Sequence, residues 1–357
     1  MLERYGWSDA LRHRYAAYLV DGLEPARVTV QQRGRYIVVT DTGEYATSLA
    51  GKFAHEASDG DYPVAGDWVA VGARHGEGVA AIRALLPRAS KFVRREAGPG
   101  APRGQVVAAN VDIALLTVSL NSDFSLRRIE RYLSSAWESG AEPVVVLTKA
   151  DSCPEVGRLR VEVEAVAFGA PVYAVSSISG EGIADLAEVL EPRKTAALLG
   201  SSGVGKSTLV NALAGTERMP VREIRERDET GKHTTTHREL ILLPSGALIL
   251  DTPGMRELGL WNAHMGVSSA FAEVEALATR CRFHDCRHRT EPGCAIQAAL
   301  KNGSLRDDRW QAYGKLQREL TFQRNKDDWA SRMGTRRDRV RKYKEGRARM
   351  KFKRGDE

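Results

Sequence analysis

The sequence predicts a multidomain α/β protein with an OB-type N-terminal β-barrel, a central mostly parallel sheet with helices on both faces, and a C-terminal helical region. Three observations support this fold class. Short apolar runs punctuated by Gly and Asp fill the first hundred residues, near-continuous apolar runs alternate with helical segments in the middle of the chain, and strand-like runs end near Trp261. The predicted parts are residues 1–100, 105–262 and 263–330, followed by a basic tail over residues 331–357.

The N-terminal region has the pattern of a short helix followed by a small barrel. An amphipathic stretch over Leu11–Val20 predicts the helix. Closely spaced strands between turn residues are typical of a five-stranded OB barrel. A β-domain without a nucleic-acid role is the alternative for this region. The strand-like runs are Arg27–Val30, Tyr36–Thr40, Trp68–Val71 and Val79–Ile82.

The central region alternates strands and helices after a Gly- and Pro-rich stretch, Ala97–Gly104, that predicts a linker. Its strands are apolar throughout, which is typical of a sheet buried on both faces. The predicted strands are Val111–Leu120, Pro143–Leu147, Val172–Val175, Thr195–Leu199, Leu240–Leu243 and Ala247–Leu250, and the predicted helices are Leu126–Ser139, Val156–Val166, Ile183–Leu190 and Lys206–Ala214.

A loop between the strand at Thr195–Leu199 and the next helix has the G-x-x-x-x-G-K-[ST] pattern of a phosphate-binding loop. Backbone N–H groups of such a loop converge on phosphate oxygens, and the helix N-terminus adds positive partial charge. We expect Lys206 to contact the β- and γ-phosphates of a nucleotide and Ser207 to ligate Mg²⁺. The expected nucleotide-binding residues of the loop are Gly200, Ser201, Ser202, Gly203, Val204, Gly205, Lys206, Ser207 and Thr208.

A second motif comes after the strand over Pro143–Leu147 and resembles the [NT]-K-x-D box that recognises guanine in GTPases. It consists of Thr148, Lys149, Ala150 and Asp151. At the carboxyl edge of a parallel sheet, the Asp151 carboxylate can accept hydrogen bonds from N1–H and the 2-amino group of guanine, which adenine does not offer. Ser176 and Ser177, after the next strand, resemble the S-A-x box that supports the base, with Ser177 where Ala is usual.

The order of these two motifs indicates a circular permutation. In ordinary GTPases the phosphate loop comes first along the chain, whereas here residues 148–151 precede residues 200–208. We therefore interpret residues 105–262 as a circularly permuted P-loop GTPase domain with GTP and GDP as its ligands.

Two further segments have the positions of nucleotide-sensing switches. Asp251–Gly254 resembles the D-x-x-G box, in which Asp251 would hold Mg²⁺ through water and the Gly254 N–H would contact the γ-phosphate. Upstream, Gly231–Thr236 lies where switch I is expected, and we expect Thr235 to complete the Mg²⁺ shell. In Ras-like proteins a glutamine after D-x-x-G positions the attacking water.

That glutamine is replaced here by Met255, whose thioether cannot orient water. We expect His233 in switch I to supply this function, because an imidazole offers both a donor and an acceptor. The expected catalytic residues are therefore His233, Lys206 and Thr235. A solvated loop histidine without a catalytic role is the alternative for His233.

Three of the four cysteines lie close together in the pattern C-x₄-C-x-H-x₅-C. Three thiolates and one imidazole make a closed tetrahedral shell, which predicts a structural zinc ion rather than a catalytic one. The expected ligands are Cys281, Cys286, His288 and Cys294, with His284 as a possible substitute. Because Cys153 stands apart, the cysteines indicate a metal site in a reducing compartment and not a disulfide framework.

The charge of the chain is concentrated at its C-terminus. The net charge is +7, and residues 331–357 carry 12 Lys and Arg against 4 Asp and Glu, a local +8. A basic tail predicts a polyanionic partner that binds in a salt-dependent way. No run of about 18 apolar residues or secretory leader is present, so we expect a cytoplasmic protein without membrane contact. Nothing in the sequence requires more than a monomer.

The permuted motif order together with C-x₄-C-x-H-x₅-C resembles the ribosome-small-subunit-dependent GTPase A family (RsgA, also called YjeQ). The resemblance runs from about Val28 to Asn325, and the family's G-R-H-T-T-T switch appears here as Gly231–Thr236 with Lys232 for Arg. It implies late maturation of the small ribosomal subunit, GTP hydrolysis stimulated by that subunit, contact with its rRNA, and a hydrolytic role for His233. The chain departs from the family in Thr148 for Asn, in Ser177 for Ala and in its long basic tail.

The sequence leaves three alternatives open. The chain could be a permuted GTPase that acts on another ribosomal particle, which its zinc pattern disfavours. It could be an RNA-binding module with a relic nucleotide site, against which Lys206, Ser207 and Asp251 argue. It could also be an ATP-dependent kinase, which Asp151 disfavours.

Overall fold

The computed structural model describes residues 1–18, 22–32, 34–57, 62–74, 79–95, 104–167, 169–216, 238–251, 271–289 and 291–307, together with 309–311, 313, 314, 317, 318 and 321. Within these ranges, no helix is both long enough and apolar enough to cross a membrane. The predicted switch residues His233, Thr235 and Gly254, and the basic tail, lie outside the described residues.

The N-terminal region is a closed five-stranded barrel, as predicted. Around the barrel the strand order is β1, β2, β3, β5 and β4, with β4 pairing back onto β1. The strand-like runs predicted four of these strands and missed β3, whose side chains are alternately exposed and buried. The elements are α1 (Asp9–Tyr15), β1 (Glu24–Gln32), β2 (Arg35–Val39), β3 (Glu44–Leu49), α2 (Gly51–Glu56), β4 (Trp68–Arg74) and β5 (Val79–Leu85).

The predicted N-terminal helix begins two residues earlier than expected, because Ser8 caps it by accepting a hydrogen bond from the Leu11 N–H. It ends at Tyr15 and continues as a single 3₁₀ turn over Ala16–Tyr18. The segment packs against the barrel through the rings of Trp7 and Trp68, whose centroids are 5.0 Å apart. The N-terminus therefore forms part of the barrel's apolar packing.

The central region is a mostly parallel sheet in the order β10, β9, β8, β11, β13 and β12, in which only β12 is antiparallel to its neighbour. The strands are β8 (Ile113–Ser119), β9 (Glu142–Thr148), β10 (Val172–Ala174), β11 (Thr195–Leu199), β12 (Arg238–Leu242) and β13 (Leu248–Asp251), and the helices are α3 (Leu126–Ser139), α4 (Val156–Ala167), α5 (Ile183–Val189) and α6 (Lys206–Ala214).

Both faces of this sheet are buried, as its apolar strands predicted. Along β8, Leu116 packs with residues of α3 and α4, whereas Leu115 on the opposite face packs with residues of α5 and α6. The alternation results from the period of two in a β-strand. Because all strands except β12 run the same way, their carboxyl ends meet at one edge, which is where ligands of such sheets bind.

A hairpin, β6 (Lys91–Arg95) and β7 (Gly104–Ala109), connects the barrel to the sheet. Neither strand was predicted from the sequence, and Gly104 was expected in a linker. Gly and Ala are weak strand formers, so β7 gives little local signal. Nearby, the buried Arg27 guanidinium donates to the Asn110 carbonyl at 3.2 Å and to Thr195 Oγ1 at 3.1 Å, which joins the barrel to the start of β11.

The C-terminal region has a small apolar core of its own, and its helices are α7 (Ala272–Ala278) and α8 (Ala295–Lys301). The residues described between 307 and 321 are also helical. A buried ion pair joins this region to the central one, since Arg309 contacts Glu130 on α3 at 2.8 Å and Glu273 at 2.6 Å. The predicted helical region is thus present, and it packs against α3.

Candidate nucleotide site and metal centre

The phosphate-loop sequence forms the predicted strand-loop-helix unit between β11 and α6. Position 200 requires glycine because the backbone there passes close to the backbone of Thr117. A Cβ at Gly200 would lie 2.4 Å from the Thr117 carbonyl oxygen. Gly203 and Gly205 have φ of 78° and 93°, which L-residues rarely adopt. The Lys206 ammonium donates to the carbonyls of Gly200 and Ser201, so its charge lies over the loop where phosphate oxygens would arrive.

The predicted base-reading segment contacts the phosphate loop directly. The Thr148 hydroxyl donates to the Val204 carbonyl at 2.6 Å, and the Lys149 ammonium donates to the Gly203 carbonyl at 3.0 Å. Thr148 is the last residue of β9, and Lys149 then turns the chain with a left-handed φ of 62°. Two segments more than fifty residues apart in the chain are therefore held as one unit.

Asp151 is exposed at this edge, and its carboxylate is oriented by two hydroxyl groups. A hydrogen bond from Ser176 is the main cause that lowers the Asp151 pKa, and the Ser152 hydroxyl adds a second bond at 2.9 Å. Ser176 itself is buried and its Oγ accepts the N–H groups of Ile178 and Ser179. The ionised carboxylate can thus accept hydrogen bonds from a ligand on its solvent side.

Ser176 and Ser177 come after β10 and lie next to the base-reading segment, since the Ala150 N–H donates to the Val175 carbonyl. Ala150 itself is buried. Gly182, at the end of this loop, also reflects close packing, because a Cβ there would lie 2.3 Å from the Ala174 carbonyl oxygen. The structure therefore brings both predicted base-contacting segments together beside Asp151.

Asp251 is the last residue of β13 and is half-buried. β13 is parallel to β11 with Leu250 opposite Ala197, so Asp251 emerges at the edge where the phosphate loop begins. Ser207 lies in the first turn of α6 at the same edge. The structure brings together Asp251, Ser207 and the phosphate loop, while the other predicted switch residues lie outside the described residues.

The four predicted metal ligands form a compact cluster in the C-terminal region. The ligand atoms of Cys281, Cys286, His288 and Cys294 all lie within 4.8 Å of one another. His288 Nδ1 is 3.5 Å from Cys281 Sγ and 3.6 Å from Cys294 Sγ, and these two sulfurs are 4.0 Å apart. Tetrahedral bonds of about 2.3 Å to sulfur and about 2.0 Å to nitrogen require separations of about 3.8 Å and about 3.5 Å. The cluster could therefore hold a metal ion.

Hydrogen bonds around the cluster fix its loop. Gln297 donates from its amide to the His288 carbonyl at 2.8 Å, and Glu291 accepts the N–H groups of Arg287 and Arg289. His288 has a left-handed φ of 58°, which is unusual for a residue other than glycine. His284 is exposed and does not belong to the cluster, so the geometry selects His288 between the two candidates.

The contacts that join the predicted site segments could not be expected from the sequence. The hydrogen bond from Thr148 to Val204 and the one from Lys149 to Gly203 give no pattern in the sequence, because each depends on tertiary packing. In the sequence, Thr148 stands out only as a departure from Asn.

The chain matches the model of the RsgA GTPase family over residues 85–261. It is 46% identical over 354 residues to "Small ribosomal subunit biogenesis GTPase RsgA" of Streptomyces avermitilis, a match that covers 98% of this chain and 94% of the relative. Among solved structures, YjeQ from Thermotoga maritima superposes with a TM-score of 0.64 at 28% identity, over 84% of this chain and 99% of that one.

YloQ, described as a circularly permuted GTPase, superposes with a TM-score of 0.63 at 22% identity, over 84% of this chain and 96% of that chain, which supports the shared fold. The predicted permuted order is thus the order of a known fold. The match to the Streptomyces relative covers 98% of this chain, and so is not confined to the central sheet. The chain belongs to the RsgA GTPase family, whose members hydrolyse GTP.

Proposed function

We propose that this chain binds GTP at the carboxyl edge of the central sheet and hydrolyses it to GDP and phosphate during late assembly of the small ribosomal subunit. The observation that carries the nucleotide site is the direct contact of Thr148 and Lys149 with the phosphate loop. The ribosomal role is supported by the name of the Streptomyces avermitilis relative, a small ribosomal subunit biogenesis GTPase.

The described residues have distinct roles in this proposal. Asp151 accepts hydrogen bonds from the guanine ring, and Ser176 and Ser177 support the base from the neighbouring loop. The loop Gly200–Thr208 surrounds the phosphates with backbone N–H groups, and Lys206 contacts the β- and γ-phosphates. Thr148 and Lys149 keep the base-reading and phosphate-binding segments in register.

The donor set at the phosphate end suits Mg²⁺. Ser207 and Asp251 present oxygen ligands at one edge of the sheet, as this hard cation prefers. We assign Thr235 as a further ligand and the Gly254 N–H as a γ-phosphate contact. When bound, the cation neutralises negative charge on the β- and γ-phosphate oxygens.

We assign His233 the orientation of the attacking water, because the Met255 thioether has no donor and is only a weak acceptor. Since the glutamine of Ras-like proteins is absent, we expect hydrolysis to be slow without the ribosomal subunit and to be stimulated by it.

The cysteine cluster holds a structural zinc ion in this proposal. Three thiolates and an imidazole at tetrahedral separations are the donor set that zinc prefers, and four protein ligands leave no position for a substrate. The metal then stabilises the fold of residues 263–330 and takes no part in hydrolysis.

The polyanionic partner is ribosomal RNA of the small subunit. The tail over residues 331–357 carries a local charge of +8, and the OB-type barrel over residues 1–100 offers a second surface for single-stranded RNA. The nucleotide unit over residues 105–262 lies between these regions in the chain. We further propose that the protein acts as a monomer in the cytoplasm.

Turnover of GTP by the full chain, alone and with purified small or large ribosomal subunits, tests this function. We expect stimulation by small subunits, none by large subunits, and loss of stimulation with retained GTP binding in His233→Ala. Stimulation by large subunits alone would instead favour the rival assignment to another ribosomal particle. Absence of phosphate release under every condition would leave an RNA-binding module with a relic site.

A further inference from the structure

Strand β12 is shared between the barrel and the nucleotide-binding sheet. It pairs with β13 on one side and with barrel strand β1 on the other, both antiparallel. The barrel and the central sheet therefore form one continuous sheet of eleven strands among the described residues. The pairing of β1 with β12 therefore links the barrel to the nucleotide-binding sheet, in addition to the contacts of Arg27 with Asn110 and Thr195.

The register connects the barrel to Asp251 in two steps. Glu239 lies opposite Val30 of β1 on one side and opposite Asp251 of β13 on the other. Backbone hydrogen bonds between paired strands keep neighbouring strands at about 4.8 Å, so a shift of β12 displaces the residue opposite it. The position of the barrel strand is thus tied to the position of the carboxylate that ends β13.

Arg238 is a side chain that links β12 to the barrel. Its Nη1 donates to Gln31 Oε1 at 2.9 Å and lies 3.4 Å from the Val106 carbonyl of β7, to which it also donates. The side chain is half-buried, and burial lowers its pKa, with the charge of Arg94 lowering it further. Because an arginine stays protonated near neutral pH, the charge needs these acceptors.

The pairing of β1 with β12 is short, which makes this contact important. The register joins Val30 with Glu239 and Gln31 with Arg238. Beyond these residues the barrel and the sheet separate around a cleft of about 520 Å³. Its lining includes Tyr5 and Leu242. Arg238 therefore lies within this short pairing, next to Glu239, after which β12 leaves the barrel, and its loss weakens the pairing between β1 and β12.

We propose that Arg238 is a positioning residue that couples the barrel to cation binding at the nucleotide site, by holding β12 and so the carboxylate of Asp251. This inference rests on the proposed function, because it takes Asp251 as a residue that holds Mg²⁺ beside the nucleotide. It adds a route by which RNA bound to the barrel changes the nucleotide site without touching it.

The test measures nucleotide affinity and its dependence on Mg²⁺ separately. A fluorescent, non-hydrolysable GTP analogue is titrated onto the full chain in EDTA and then over a range of Mg²⁺ concentrations. For Arg238→Met we expect an affinity for the GTP analogue in EDTA within twofold of that of the unaltered chain. The Mg²⁺ concentration that gives half of the maximal increase in this affinity should be at least fivefold higher than for the unaltered chain. Gln31→Ala changes the Mg²⁺ dependence in the same direction by a smaller factor.

Arg94→Met is the matched control. Arg94 donates to Gln105 Oε1 at 3.1 Å in the adjacent hairpin, so this substitution removes a similar arginine–glutamine pair and a nearby positive charge without touching β12. Its Mg²⁺ dependence should equal that of the unaltered chain. An equal shift in Arg94→Met and Arg238→Met would show a general charge effect and overturn the proposal.

Hydrogen exchange supplies a second readout, because coupling between two sites is reciprocal. Adding Mg²⁺ to the analogue-bound chain should slow amide exchange in β1 around Val30, and Arg238→Met should abolish that protection. If the affinity of Arg238→Met for the analogue depends on Mg²⁺ as that of the unaltered chain does, the proposal is wrong. If that variant is unfolded at the assay temperature, Gln31→Ala decides the outcome. Failure of the unaltered chain to bind the analogue at all would contradict the proposed function instead.

Discussion

The hydroxyl of Thr148 donates a hydrogen bond of 2.6 Å to the carbonyl of Val204, and this contact joins the base-reading segment to the phosphate loop. Thr148 is buried at the end of β9, and Val204 is buried within the loop. Thr148 therefore supplies a side-chain donor that links the two halves of the predicted site.

Removing that donor should weaken nucleotide binding. In Thr148→Val the Val204 carbonyl loses its side-chain partner, at a cost of about 1–3 kcal/mol. We expect the affinity for GDP to fall by about tenfold, since about 1.4 kcal/mol corresponds to that factor. Fluorescence titration with a GDP analogue measures the change.

Thr47→Val is the control for this prediction, because the Thr47 hydroxyl makes an equally short and buried bond of 2.6 Å to the Ala80 carbonyl inside the barrel. Thr47→Val should lower the thermal stability of the protein by about as much as Thr148→Val does, without changing GDP affinity. Equal GDP affinity in both variants would contradict the role given to Thr148.

Asp151→Asn should change base preference rather than abolish folding. The variant presents an amide N–H₂ where guanine offers only donors, so GTP loses about 2 kcal/mol or more of charge-assisted hydrogen bonding. Xanthine carries a carbonyl oxygen in place of the 2-amino group, and xanthosine triphosphate should therefore compete better than it does with the unaltered chain.

Competition between the two nucleotides for a fluorescent probe measures this preference. Asp185→Asn, at an exposed aspartate of α5 outside the predicted base-reading segments, removes the same charge and should leave the ratio unchanged. A guanine preference that survives in Asp151→Asn would mean that another residue reads the base.

The cysteine cluster should bind one metal ion that stabilises the C-terminal region. In Cys294→Ser we expect loss of about one equivalent of zinc, measured by elemental analysis, because a closed site needs all four ligands. The fluorescence of Trp310, whose ring lies 5.7 Å from the His288 ring, should shift as the region loosens. GDP affinity should be retained.

Cys153→Ser is the matched control, since Cys153 is half-buried against the central core and lies outside the cluster. It should keep the full metal content. An equal metal loss in both variants would argue that the metal is held elsewhere.

Glu138, near the end of α3, should make stability depend on pH. Burial raises its pKa from 4.5 to about 7. The folded state then holds this proton more tightly than the unfolded state, so the free energy of unfolding falls as pH rises from 4.5 to about 7. Glu138→Gln should therefore stabilise the protein at pH above 7 and have little effect on its stability near pH 4.5.

Urea denaturation at both ends of this pH window checks the prediction. Glu142→Gln, an exposed glutamate at the start of β9, serves as the control and should leave the pH dependence unchanged. If Glu138→Gln and the unaltered chain lose stability in parallel as pH rises, Glu138 does not hold the proton.

Local chemistry made the sites predictable from the sequence. The phosphate loop, the Thr148–Asp151 segment and the cysteine cluster each concentrate their signal within about fifteen residues, so spacing alone was enough to predict them. The sequence predicted His288 as the imidazole ligand with His284 as a possible substitute, and the fold brings only His288 into the cluster.

Long-range pairing was not predictable in the same way. β3 and β7 were not predicted, because Ala, Ser and Gly have a low propensity for β-strands. The contact of Arg238 with Gln31 spans 207 residues, and no local pattern encodes it. The same holds for Arg27, which sits in a strand as an apparent surface residue but is buried between the barrel and the start of β11.

The rotated motif order also determines how the chain is tethered after Asp251. β13 is the last strand of the central sheet, and the chain proceeds from it to Phe271, the first described residue of the metal-binding region, without another strand among the described residues. In an unrotated GTPase the phosphate loop comes first in the chain and the base-reading segment follows D-x-x-G. Here the next described segment after Asp251 is instead the metal-binding region, which has its own core, so the permutation places that region directly downstream of the D-x-x-G segment in the chain.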